Sequence, residues 1–368
     1  MRNRVAIKKK SDVLWHAPVS IIAALAIYYL FINLGNETGL GRDGSTLGCV
    51  LFWAITVCYM PVFFSAFEGL GNLIGYFSLH EIVWYAEKSA FEDPRAVSIH
   101  SKMKKQNTKF RIIEHLTAAV LFTVVIFFLP GALKRGEEQT VIWVYYFILF
   151  FITESCWIKQ KRKSIDRYMD ILYEDCDPEL FAKLMELSLV DVCSKRGMDE
   201  CYAWQAISYY YVGDYERMME RLKHIRMGKL LNPIKIKLTL VRGNSSIRLG
   251  NAASFSFISG ELFQIESTLM KLENKEAKFA AWIRRQWNLM IAVYGGNMDT
   301  GQFSEQELIE TEHRLFRMEC EYCLGKLRIM SGDVNAGKTL IETVAREAGT
   351  MLVRREAEEM LRQISIAD

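Results

Sequence analysis

The stretch EYCLGKLRIMSGDVNAGKTLIETV, Glu321 to Val344, admits two incompatible readings. Its middle, GDVNAGKT from Gly332 to Thr339, matches G-x-x-x-x-G-K-[ST], the loop that grips nucleotide phosphates. That chemistry needs a buried strand before the loop, a helix after it, and a metal-holding acid on another strand. Cys320 to Ser331 reads instead as a helix, with Leu324, Leu327 and Met330 on one face. Only 29 residues follow Thr339, and none forms an apolar strand ending in Asp. The stretch is therefore expected to be helix, tight turn, helix. Gly332-Asp333 would make the turn, and Ala336 onward the second helix.

A second stretch supports this. CYAWQAISYYYVGDYERMMERLKHI, Cys201 to Ile225, superposes on the first when Gly213-Asp214 is laid on Gly332-Asp333. Small Ala206 then meets Gly325, Tyr215 meets Val334, Leu222 meets Ile341 and Ile225 meets Val344. A small residue at that position lets the second helix approach the first. Leu231 to Leu272, with Pro233, Gly243 and Gly250, fits only as a degenerate unit of the same kind. Asp177-Pro178-Glu179 marks another helix start: an N-cap Asp, a Pro in the first turn and an acid near the positive helix end.

On these residues the chain resembles the tetratricopeptide-repeat superfamily. Leu324-Gly325 stands where that family has its Leu-Gly pair, and Gly213-Asp214-Tyr215 stands at its inter-helix turn, whereas Met218 occupies a family Ala position. The resemblance implies a right-handed helical solenoid that binds peptides or protein surfaces. The whole chain looks like the membrane-anchored tetratricopeptide-repeat proteins of bacteria.

The membrane part of that expectation comes from composition. The 368 residues are 51% hydrophobic and 12% aromatic, and the excess lies before about Trp157. Leu14–Leu34 and Leu47–Phe67 are uncharged runs long enough to cross ~30 Å of hydrocarbon. Two more spans are read at about 113–133 and 140–158. A cleavage site at Ala24-Leu25-Ala26 would make the first run a signal peptide, but the apolar stretch continues through Leu34. Lys and Arg concentrate in the N-terminal arm (Arg2 to Lys10), between spans two and three (Lys88 to Arg111), and just after span four (Lys159 to Lys163). The two remaining loops are short and nearly neutral, so both termini are expected to be cytoplasmic. Residues 69–88 read as an interfacial amphipathic helix, a continuation of span two, or a helix packed on the others.

The expected fold class is thus all-α, with four transmembrane helices followed by a cytoplasmic helical-repeat solenoid. A basic arm covers 1–13. The membrane domain covers 14–158, with a cytoplasmic or interfacial helical segment over about 69–111. The helical domain covers 159–368.

The formal net charge is +3, and residues 1–158 hold 15 of the 46 Lys+Arg and 12 of the 43 Asp+Glu, leaving 31 of each after that point. A balanced second half argues against a nucleic-acid partner. The eight cysteines repeat no spacing and read as reduced thiols. Cys320-Glu321-Tyr322-Cys323 is a lone C-x-x-C without a second pair, and His80-Glu81 begins a zinc-protease motif that Trp84 does not complete. No cofactor or metal is expected, and no catalytic constellation is evident.

Two sets of residues stand out. Glu114, His115 and Glu154 fall at similar depth near the inner ends of spans three and four, as a polar contact or a proton-bearing site. Arg217, Arg221 and His224 share a helix face that could grip an acidic partner or anionic lipid, or simply be solvated. The leading expectation is a non-enzymatic membrane-anchored scaffold or adaptor whose concave face recruits a cytoplasmic protein. The alternative is a transporter component or sensor whose spans act while the solenoid regulates. A membrane enzyme ranks third.

Overall fold

The turn at Gly213-Asp214 sets the pattern of the molecule. In the computed structural model, which describes residues 4–7, 84–110, 167–192, 195–269, 275–295 and 313–367, this turn joins α5 (Lys195–Val212) to α6 (Tyr215–Leu222). Gly213 takes φ +85°, the left-handed region that a side chain resists. The amides of Gly213 and Asp214 donate back to the carbonyls of Tyr210 and Tyr209, which closes the helix end, and the Asp214 carboxylate caps α6 by accepting from Arg217 N at 3.0 Å. Gly332-Asp333 repeats every part of this between α10 (Arg314–Met330) and α11 (Val334–Glu347): φ +95°, amides to Ile329 and Arg328, and a cap on Ala336 N. Gly250-Asn251 is a third copy, between α7 (Asn232–Arg248) and α8 (Ala252–Leu269), with Asn251 capping Ser254 N at 3.0 Å. The unit that looked degenerate in sequence has the same turn.

Glycine at the centre of the α10–α11 hairpin serves packing. A Cβ on Gly337 would stand 2.7 Å from the Gly325 carbonyl oxygen, and one on Gly325 would stand 2.9 Å from Ile341 Cδ1. The two helix backbones all but touch there. The GDVNAGKT stretch is this hairpin turn, with a helix before it and its amides at Ala336 and Gly337 already bonded to Asp333. It does not have the geometry of a phosphate loop.

The long helices α5, α7, α9 (Lys275–Gly295) and α10 pack in sequence as an inner layer, with α6, α8 and α11 outside. Together they form a helical-repeat solenoid, as the hairpins suggested. Its ends then meet. The last helix, α12 (Leu352–Ala367), sets Leu352 against Gly213, and Arg355 donates to the Val212 carbonyl. The turn before α12 docks on α4 (Pro178–Asp191): Thr350 N donates to Cys176 O at 3.0 Å, and Thr350 Oγ1 to Asp177 Oδ1 at 2.9 Å.

The helix start read at Asp177-Pro178 is as expected, with Asp177 accepting from Leu180 N at 3.1 Å. Before it lie α1 (Lys88–Glu92), α2 (94–110) and α3 (167–173). Outside the helices the described residues hold one two-stranded antiparallel ribbon, β1 (Arg4–Ile7) with β2 (Trp84–Glu87), in register Arg4↔Glu87 and Ile7↔Trp84. The expectation of helix around Trp84 and Tyr85 is corrected here. Trp and Tyr are residue types that favour extended backbone, and the backbone of Arg4–Ile7 supplies the ladder partner. Among the described residues no helix is long and apolar enough to cross a membrane. The four expected spans, together with Glu114, His115 and Glu154, lie outside the described residues.

Candidate functional site: a charged seam and a buried carboxylate

The ribbon, α1 and α2 flank the apolar runs in sequence, and they pack on α4. A line of ion pairs joins them. At one end, Asp93 caps α2 through the amides of Arg95 and Ala96 at 2.9 and 3.2 Å and takes Lys183 Nζ at 3.0 Å. The Lys183 hydrogen bond is the main reason its carboxyl lies below the usual range. Arg95 Nη1 reaches Asp177 at 3.0 Å, so Asp177 holds the start of α4, the turn before α12 and α2 at once. At the other end, Asp191 takes His100 Nε2 at 3.0 Å and Lys104 Nζ at 2.5 Å. Burial alone would raise the Asp191 carboxyl, but the bonds from His100 and Lys104 outweigh it and bring it to about 2. His100 Nδ1 also meets the Tyr168 hydroxyl of α3 at 3.3 Å.

The middle of the seam is buried. Glu186, 1% exposed, faces Arg221, 3% exposed, at 2.6 Å and accepts from the Tyr209 hydroxyl at 3.3 Å. The Glu87 amide of β2 donates to its other oxygen at 3.4 Å. Desolvation pushes the Glu186 carboxyl up against the pull of Arg221. Arg217 binds the Glu87 carboxylate at 3.0 Å and Asp214 at 3.1 Å.

Two of the three residues read as a basic docking face are thus spent within the chain. Arg221 is buried behind Glu186, and Arg217 clamps the ribbon to α6. His224 is exposed beside the Tyr202 ring, 5.4 Å between centroids.

A second polar centre sits inside the solenoid. Glu319 of α10, 1% exposed, accepts from Asn244 Nδ2 of α7 and Gln286 Nε2 of α9, each at 3.0 Å, and from the Tyr210 hydroxyl of α5. Each inner helix therefore contributes to one carboxylate. Trp287 Nε1 holds the other end of Asn244 at 2.8 Å. Arg248, with 6% of its side chain exposed, lies 3.6 Å from Glu319 and 3.0 Å from Glu356 of α12. Burial raises the Glu319 carboxyl, and Arg248 opposes the shift. Above this centre, an open groove of about 400 Å³ between α10 and α12 is lined by Tyr322, Leu352, Glu356, Glu359 and Met360.

Cys320 and Cys323 are buried free thiols, the latter pushed up to about 12 chiefly by burial, and are poorly suited to redox or metal chemistry. Of the seam acids only Asp177 stood out in the sequence, as a cap; Asp93, Glu186, Asp191 and Glu319 did not. Asp93-Pro94 repeats the Asp177-Pro178 start and could have been read as a cap. An acid between Met318 and Cys320 in an otherwise apolar helix face was the other available signal.

No protein family, curated protein or solved structure gives a significant match to the chain.

Proposed function

We propose that this chain is a membrane-anchored scaffold or adaptor. Four apolar runs hold it in the bilayer, both termini lie on the cytoplasmic side, and the tetratricopeptide-like array recruits a protein partner there. The observation that carries the reading is the ribbon. Ile7 and Trp84 are register partners, so the chain leaves for residues 8–83 and comes back at one place on the array. The His100–Tyr168 contact likewise draws together the two flanks of residues 111–166. A stretch that returns to its starting side crosses a bilayer an even number of times, which fits spans in two pairs.

One observation favours the second reading, a sensor or transporter component. The flanking elements are tied to α4 and α6 by the pairs Asp93–Lys183 and Glu87–Arg217, so a displacement of the spans would reach the array. Glu114, His115 and Glu154 are the residues that would act in it.

In-cell crosslinking of the full-length protein, followed by purification and mass spectrometry, tests both. The whole chain is needed, because truncation at Lys159 would strip Glu87, Asp93 and Arg95 from α4 and α6. Crosslinks from residues 195–367 to a cytoplasmic protein support the scaffold. Crosslinks confined to a membrane protein, with function lost on Glu114→Gln, His115→Asn or Glu154→Gln, put the second reading ahead. A protein with no partner in either class sinks the scaffold. Release from membranes by alkaline carbonate sinks the anchoring.

A further inference from the structure

We infer that the outer face of α2 binds the anionic headgroups of the bilayer, and that this helix, not α6, is the lipid-contacting basic element. The inference rests on the membrane-anchored reading above.

The sequence of α2, PRAVSIHSKMKKQNTKF, contains no acid in 17 residues. Its cations divide into two sets by their partners. Arg95, His100 and Lys104 turn to α4 and are taken by Asp177 and Asp191. Ala96, Ile99, Met103, Gln106 and Phe110 form the buried to half-buried stripe beside them. Lys102, Lys105 and Lys109, at i, i+3 and i+7, are exposed on the outer face, and none forms an ion pair among the described residues. The inner set therefore fixes the helix in position, and the outer set stands as a row of ammonium groups.

Two further facts point that row at lipid. The apolar run begins at about residue 113, so Lys109 lies within a chain reach of roughly 14 Å of it. A cationic side chain in that zone gains from the negative surface potential of a cytoplasmic leaflet, and the gain adds over the three lysines. Lysine stems also lie along the interface with the charge in the headgroup layer. By contrast, Arg217 and Arg221 are already neutralised by Glu87 and Glu186.

The test uses the full-length protein in vesicles of phosphatidylcholine alone and of phosphatidylcholine with phosphatidylglycerol at about 7:3, a fraction chosen to give a negative surface potential. Lysines are acetylated briefly and the modified sites quantified by mass spectrometry. The expected result is roughly threefold or greater protection of Lys102, Lys105 and Lys109 in the anionic vesicles. Protection should vanish at high salt, and exposed Lys223 should not change. Equal reactivity in both vesicles, from protein that stays bound after carbonate washing, overturns the inference and leaves the anchoring intact. Equal protection in both vesicles also overturns it, because something other than anionic charge then covers the lysines. Protein that carbonate releases overturns the anchoring and the inference together.

Discussion

Gly332 and Gly337 stand five residues apart and are required for different reasons. Gly332 holds φ +95° in open space, so alanine there meets only backbone strain. Gly332→Ala is expected to cost about 1 kcal/mol. Gly337 has ordinary helical geometry but no room, and Gly337→Ala would press a methyl into the Gly325 carbonyl, costing up to about 3 kcal/mol. Thermal unfolding of the two variants should rank them in that order, and a reversed order would contradict the packing described. Asp191 gives a pH-dependent case. Its folded pKa of about 2 lies below the ordinary value near ~3.9. Its contribution is therefore present above about pH 4 and lost as pH falls toward 2. The stability gap between wild type and Asp191→Asn should shrink over that window. A gap unchanged from pH 5 to pH 2 would mean that His100 and Lys104 do not hold the carboxylate. At this scale the sequence was readable wherever the signal was local, as at Asp177-Pro178. It was silent on Glu319, because nothing near that residue says which helices will surround it.

At the scale of elements, α4 is the central strap. One face lies against α5 and the other carries the seam, so its polar residues are not a solvated stripe. The Glu186–Arg221 pair shows what that costs. Arg221→Met leaves a carboxylate buried without its cation, an expected loss of about 3–5 kcal/mol. Adding Glu186→Leu removes the stranded charge and should recover most of that loss. The double-mutant cycle, measured by thermal unfolding in detergent, decides it. A double variant no better than the single would show that Tyr209 and Glu87 need the carboxylate as much as Arg221 does. The helical hairpins were legible in the sequence, because their turns, caps and small residues lie within some 25 positions of one another. The ribbon was not. Val5 and Ala86 are paired across 81 positions, and four-residue strands carry no periodicity that survives against a helical background.

For the molecule as a whole, the repeat unit was readable and the closure was not. Two similar hairpins establish a solenoid. Whether its curvature brings the ends together depends on Gly349, Thr350 and Leu352 finding Cys176, Asp177 and Gly213, which no local pattern encodes. Closure concentrates stability at Glu319. Glu319→Ala would leave Asn244, Gln286 and Tyr210 without their shared acceptor, and is expected to cost upward of about 3 kcal/mol and to loosen all four inner helices together. Hydrogen exchange should then rise in α5, α7, α9 and α10 alike, whereas a rise confined to α10 would argue that the carboxylate is only a local contact. The shared carboxylate also bears on how such a chain can change over time. An open array of hairpins can gain or lose a member at either end, because each touches only its neighbours. Here three inner helices each donate a hydrogen bond to a single acceptor on the fourth. A duplicated or deleted hairpin would leave that acceptor with the wrong complement, so this architecture can diversify on its outer surface but not in its number of units.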